Sequence, residues 1–148
     1  MSIRSEDFIM RQVRAVGTML ARILGLRIDG QVEEARVELE DAYGLLLGSQ
    51  GIARQVDART AALMLSAPER IAALARLVRE EAEQTADAAE ALALRQRALE
   101  LGLEAAWRDP RDEELRRFVK ELVQVVGEER LDAEHRAALQ EIVKGDGP

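Results

Sequence analysis

The sequence contains no cysteine, and it has only three prolines and 3% aromatic residues in 148 positions. Without cysteine the chain can form neither a disulfide framework nor a thiolate nucleophile, which fits a reducing compartment, and we expect a cytoplasmic protein. No apolar run approaches the roughly 18 residues that span a bilayer. The first 17 residues carry charges where a signal peptide needs an unbroken apolar segment. We therefore expect a soluble, unprocessed protein with no membrane partner.

Basic residues are outnumbered by acidic residues. The chain has 28 acidic and 21 basic residues, a formal net charge of −7. Proteins that bind duplex nucleic acid normally present a basic surface that displaces counterions from phosphates. We therefore expect no nucleic-acid partner.

The residues that are abundant favour helices. Hydrophobic residues make up 47% of the chain, and most of them are Ala, Leu and Val. With Glu, Arg and Gln, they include the residues that lose least conformational entropy in a helix. The composition predicts an all-α fold, the length favours one domain, residues 1–148, and the helix signals described below divide it into about seven helices.

The first predicted helix, about residues 6–26, carries two apolar stripes. The spacing of the first stripe is that of one helical face: Ile9, Val13, Val16, Leu20 and Ile23. A second stripe lies beside it: Phe8, Ala15, Met19 and Leu26. Two stripes indicate a helix that is covered on more than one side, by its own fold or by another subunit.

Turn and capping signals divide the rest of the chain. Asp29-Gly30 ends the first helix. Ser66 and Glu69 form the pattern of a capping box, and Asp109 followed by Pro110 predicts the start of the sixth helix. The predicted helices after the first are about 32–47, 52–65, 67–85, one starting after Asp87, one from 110 to the stop at Gly127, and one from Asp132 to Lys144, with a frayed tail at 145–148.

Apolar positions place the expected core of two of these helices. In the third helix they are Ile52, Val56, Leu63 and Leu65. In the sixth helix they are Leu115, Phe118, Leu122, Val125 and Val126.

Two stretches of the chain match each other. Asp29 with Ala35 and Ala42 corresponds to Asp87 with Ala91 and Ala98, and each alanine pair is seven residues apart. Small residues at this spacing let the second helix of a hairpin lie close to the first.

This pattern resembles the second helix of a tetratricopeptide (TPR) hairpin, with Leu39 and Arg95 at the usual aromatic position. The alanine pairs of the two copies are 56 residues apart instead of the 34 of a regular array. The resemblance implies TPR-like antiparallel hairpins in one compact array or bundle. We expect two hairpins and an inserted third helix over about 6–107, and a C-terminal helical hairpin over about 110–144.

The opening of the chain supports the same fold. Asp7 to Gln12 reads Asp-Phe-Ile-Met-Arg-Gln and is followed by Ile23, Leu24 and Gly25. This resembles the N-terminus of a family of small, uncharacterised bacterial proteins that continue as TPR-like helices. The resemblance implies a fold and brings no established activity.

No constellation of residues predicts catalysis. The only histidine, His135, has Asp132 three residues before it, a spacing typical of a helix cap. A di-metal bundle needs two Glu-x-x-His motifs, and neither a phosphate-binding loop nor a nucleophile elbow occurs. We expect no enzyme activity, no cofactor and no metal site.

The sequence therefore favours a non-catalytic protein-interaction or structural module. We expect a homodimer that associates through the N-terminal helix, with an unknown protein as the other possible partner. Trp107 is expected to cover a hairpin end, with exposure at an interface as the alternative. The interface candidates are Phe8, Met10, Met19, Leu20 and Trp107.

The alternative function is a small-ligand or divalent-metal-binding helical module. Arg11, Arg14 and Arg95 would line its inter-helix groove. Ion pairing with the acidic helix faces is the simpler interpretation of these arginines.

Overall fold

The computed structural model describes residues 3–144, and their side chains from Glu6 onward. Within these residues the fold is all-helical, with no strand and a compact core. The predicted tail at 145–148 lies outside the described residues. The α-helices are α1 (Ile3–Ile28), α2 (Val32–Leu47), α3 (Ala58–Leu65), α4 (Pro68–Glu83), α5 (Ala88–Arg108), α6 (Glu113–Val126) and α7 (Ala133–Lys144), with 3₁₀ segments at Gly48–Arg54 and Glu128–Arg130.

Helices α1 and α2 form a tight hairpin. Gly30 has a φ of +78° in the turn, a conformation that costs glycine little. At the other end, the Gln12 side chain donates hydrogen bonds to the carbonyls of Leu45 and Leu46, at 2.9 and 3.2 Å. The Arg70 guanidinium of α4 also donates to Leu46 O, at 2.9 Å. These bonds satisfy carbonyls that the end of a helix leaves without partners.

Helices α4 and α5 form the centre of the molecule. They pack on each other, α1 and α2 pack on α4, and α3, α6 and α7 pack on α5. Helices α6 and α7 pack mainly on α5 and less on each other. One link between them is Arg116, which donates to Ile142 O at 3.3 Å.

The repeated alanines lie where these helices meet. Ala35 and Ala42 in α2 and Ala91 and Ala98 in α5 are all buried. Each pair therefore allows close approach to a neighbouring helix, as the spacing predicted.

The predicted third helix, 52–65, is wrong in its first half. The α-helix begins at Ala58, because the Asp57 side chain accepts hydrogen bonds from the backbone and hydroxyl of Thr60. The residues before it belong to a 3₁₀ segment. Ile52 and Leu63, expected in the core, are exposed.

The predicted capping box at Ser66 does not form. Ser66 ends α3 with a φ of +69°, and its N–H donates to Ala62 O at 2.8 Å. Helix α4 starts at Pro68 after Ala67. Because α3 ends immediately before α4 starts, the serine serves the end of one helix and not the beginning of the next.

The predicted start of the sixth helix is three residues early. Asp109 lies at the end of α5, and Asp112 caps α6 by accepting a hydrogen bond from Leu115 N at 3.1 Å. Two other predicted caps are confirmed: Asp87 accepts from Glu90 N at 2.9 Å, and Asp132 accepts from His135 N at 2.8 Å.

Candidate functional site

One side of α1 faces the core. Val16 and Ile23 of the first stripe are fully buried. Met19 and Leu26 of the second stripe are partly buried and pack against the same core. Val16, Leu20 and Ile23 of the first stripe, and half of the second stripe, therefore serve the fold of this chain.

A different side of α1 is apolar and exposed. Met10 is 41%, Leu24 44% and Ile28 72% exposed, and Gly17 and Ala21 lie between them on the surface. At 100° per residue these five positions fall within about 60° of the helix circumference. No charged residue between Met10 and Ile28 lies inside that sector. We call these five residues the α1 strip.

The α1 strip includes one of the five interface candidates, Met10. Phe8 lies one helical turn before Gln12 and is exposed. Met19 and Leu20 are half-buried and pack against the core. Trp107 is 66% exposed, so it does not close a hairpin end.

Trp107 lines two hollows, and neither lining includes a residue of α1. One hollow, of about 430 Å³, includes Leu63 and His135 in its lining. The other, of about 390 Å³, includes Arg116 and Ile142. The tryptophan is therefore an accessible apolar surface of α5.

His135 is buried between two carboxylates. Its Nε2 lies 2.7 Å from Glu104 and its Nδ1 lies 3.1 Å from Asp132. Arg108 donates a hydrogen bond to the other oxygen of Glu104, at 3.0 Å. Asp132 also caps α7, as predicted, and the backbone hydrogen bond from His135 lowers its pKa. The group ties α7 to α5 through the side chains of His135 and Glu104.

Tyr43 is a buried group with a strongly raised pKa. Its hydroxyl donates to Glu81 at 2.6 Å, and Arg54 stacks 3.7 Å above its ring. Burial raises the pKa of Tyr43, and the charge of Glu81 raises it further. The phenol therefore stays protonated and holds the 3₁₀ segment Gly48–Arg54 against α2 and α4.

A charged cleft of about 440 Å³ lies between α1 and α6, with α4 between them. We call it the arginine cleft. Arg76, Arg79, Glu80 and Glu83 contribute the α4 side, as positions of one helical face do. The other lining residues are Leu20, Leu24 and Arg27 from α1, Arg95 from α5, and Glu121, Leu122 and Val125 from α6.

Only one of the three predicted ligand-binding arginines lines this cleft. Arg95 does so, and it pairs with Glu83 at 3.4 Å. Arg11 and Arg14 are exposed on α1 and are not among the lining residues. Val125, predicted in the core of α6, is exposed and forms part of the cleft rim.

Arg76 and Arg79 of α4 were not among the ligand-binding residues predicted from the sequence. Arg76 and Arg79 are half-buried on α4 and line the cleft, and their spacing of three indicated a shared face. This spacing could have grouped the two arginines, but it does not predict that α1 and α6 lie on either side of them.

Within residues 3–144, no group of three or more His, Asp or Glu side chains is arranged to hold a metal ion. Across the same part of the chain, no helix has the length and apolar character needed to cross a membrane. No protein-family model matches the chain, and searches of curated proteins and of solved structures found no significant match. The function proposed below therefore rests on the residues and their geometry.

Proposed function

We propose that the protein is a non-catalytic protein-interaction module, built from TPR-like hairpins, that forms a homodimer through α1. The observation that carries the proposal is the α1 strip, an exposed and uncharged apolar surface that runs the length of the helix from Met10 to Ile28. Contiguous exposed apolar surface is typical of interaction sites.

The arrangement of the hairpins supports an interaction role. Helix α4 packs on both α1 and α2, so the second hairpin stacks on the first. Repeat proteins built from stacked helical hairpins use their extended surfaces for binding.

The order of residues in the α1 strip favours a second copy as the partner. Met10 and Ile28 are equally distant in sequence from position 19, and so are Gly17 and Ala21. In an antiparallel pair, Met10 of one copy lies opposite Ile28 of the other, and the small residues meet in the middle. A two-fold interface needs this self-complementarity.

The small residues allow the helices to approach closely at the centre. A Cβ added to Gly17 would meet no atom within 4 Å, so the surface there is open. The strip is about 27 Å long and about 10 Å wide, from the rise and diameter of a helix. Two such strips amount to about 540 Å², below the roughly 1,200 Å² at which stable specific interfaces begin, so we expect a weak dimer with a dissociation constant above about 1 μM.

The test is the solution mass by light scattering of the wild type and of Ala21→Glu across a hundredfold concentration range. The wild type is expected to approach twice the monomer mass as concentration rises. Ala21→Glu is expected to remain a monomer, because dimerisation would bury its carboxylate without a partner.

Val37→Glu is the matched control. Val37 is an exposed apolar residue of α2, 59% accessible, and it lies outside the α1 strip. This variant is expected to dimerise like the wild type, with circular dichroism verifying that both variants are folded. A wild type that is monomeric throughout, or an Ala21→Glu variant with wild-type mass, would refute the proposal.

A further inference from the structure

The arginine cleft contains two cations that its carboxylates do not neutralise well. Arg27 forms two hydrogen bonds with Glu80, at 2.9 and 3.3 Å, and Arg95 pairs with Glu83. Arg79 reaches Glu121 only at 3.5 Å. Among the described residues, Arg76 has no carboxylate within ion-pair distance.

Arg76 and Arg79 both lie over the ring of Phe118. The guanidinium carbon of Arg79 is 4.4 Å from the ring centroid, and that of Arg76 is 5.8 Å from it. Stacking supports a guanidinium through its face and leaves the N–H groups at its edge available to an acceptor. Two donors are therefore held over one buried ring, at the side of the cleft.

Burial makes an incoming anion favourable for Arg79. Desolvation, with a smaller contribution from the charge of Arg76, lowers the pKa of its guanidinium more than the charges of Glu121, Glu83 and Glu80 raise it. Removing a charge from water without a close partner costs free energy, which a bound anion would offset.

The walls of the cleft are apolar where the ligand would extend. Leu20 and Leu24 lie on the α1 side, and Leu122 and Val125 lie on the α6 side. Leu24 and Val125 are exposed. A ligand with an anionic head at Arg76 and Arg79 would therefore place an aliphatic chain between two apolar rims.

We propose that the arginine cleft binds a small monocarboxylate with an aliphatic chain, its head group held by Arg76 and Arg79 and its chain between α1 and α6. The proposal does not rest on dimerisation through the α1 strip, but Leu24 belongs to both surfaces, so a dimer would cover part of the α1 side of the cleft. The experiment is therefore done with Ala21→Glu, because Ala21 does not line the cleft.

The test is isothermal titration of the folded protein with octanoate below its micelle concentration, compared with octanol and with inorganic phosphate. Octanoate is expected to bind with a dissociation constant of about 1 mM, from the usual limit of affinity per ligand atom. Octanol and phosphate are each expected to bind at least tenfold more weakly, since each lacks one half of the ligand.

Arg76→Gln is the principal variant, because Arg76 has no ion pair in the described structure whose loss would disturb the fold. It is expected to weaken octanoate binding about tenfold, the loss of one charge-assisted hydrogen bond. Arg79→Gln is expected to do the same. Arg36→Gln, on the exposed face of α2, is the matched control and is expected to leave binding unchanged.

Three results would overturn the proposal. In the first, octanoate does not bind. In the second, octanol binds as tightly as octanoate. In the third, Arg36→Gln weakens octanoate binding as much as Arg76→Gln does. Amide chemical-shift changes on adding octanoate are expected in α1, α4 and α6, and changes confined to the Trp107 hollows would equally contradict it.

Discussion

Replacing Gly102 by alanine is expected to destabilise the fold, although alanine is the better helix former. Gly102 is buried in α5, where α6 crosses it. A Cβ at this position would lie 3.1 Å from two ring carbons of Phe118 and 3.2 Å from Val119 Cγ2. Carbon atoms normally pack at about 3.5–4.0 Å, so α5 and α6 would have to separate by a few tenths of an ångström.

Phe118 has little freedom to yield, because it is buried and Arg79 lies over its ring. Overpacking of this kind costs about 1–3 kcal/mol. Helix propensity offsets about 1 kcal/mol of that cost. We therefore expect Gly102→Ala to lower the free energy of unfolding by up to about 2 kcal/mol.

Gly44→Ala provides the control, because Gly44 is in the exposed face of α2 and an added Cβ would meet no atom within 4 Å. This variant is expected to raise the free energy of unfolding by about 0.5–1 kcal/mol. Urea unfolding followed by circular dichroism measures both changes. If Gly102→Ala stabilised the protein as much as Gly44→Ala, the close packing of α5 on α6 would be wrong.

Three further changes test contacts that hold the helices together. Glu80→Gln replaces the buried partner of Arg27 and is expected to lower the free energy of unfolding in urea by about 1–3 kcal/mol. An unchanged free energy of unfolding would contradict a buried ion pair. Tyr43→Phe removes the hydroxyl that donates to Glu81 and is expected to cost about 1–2 kcal/mol by the same measurement. Asp132→Ala removes the cap of α7 and is expected to cost about 1 kcal/mol at neutral pH. Because the pKa of Asp132 is lowered in the folded state, its stabilisation is fully present above about pH 4 and is lost as pH falls through the folded pKa. The gap between wild type and Asp132→Ala should therefore close in acid, and a gap that stayed constant down to pH 2 would contradict the ionised cap.

Helix positions followed from local signals wherever one signal stood alone. The ends of α2 and the caps of α5 and α7 agree with the prediction because glycine or aspartate occurs there without a competitor. At α6 two aspartates compete, and Asp112 is the cap because α5 continues to Arg108 and leaves Asp109 in the connection. At Ser66 the capping-box pattern does not form, because only two residues connect α3 and α4 and Ser66 ends α3.

The candidate surfaces could be predicted only in part. Periodicity placed Val16 and Ile23 in the core, but it also placed Val125 there, because a position at the edge of a helical face has no local feature that decides its burial. The α1 strip contains glycine and alanine, which a search for large apolar residues passes over. The arginine cleft depends on which helices flank α4, and that is a property of tertiary packing.

The proposed dimer is tested most directly by disulfide formation between two single-cysteine variants, since the chain has no cysteine of its own. Met10→Cys and Ile28→Cys are oxidised separately and as an equal mixture, and covalent dimers are measured on a non-reducing gel. Both positions are exposed, so neither replacement disturbs the core.

Antiparallel pairing of α1 predicts disulfide-linked dimers in the mixture and few in either variant alone. In that pairing, residue 10 of one copy lies about 27 Å along the helices from residue 10 of the other, and the same holds for residue 28. A mixture without covalent dimers would contradict dimerisation through α1, and efficient dimers of each variant alone would contradict the antiparallel arrangement.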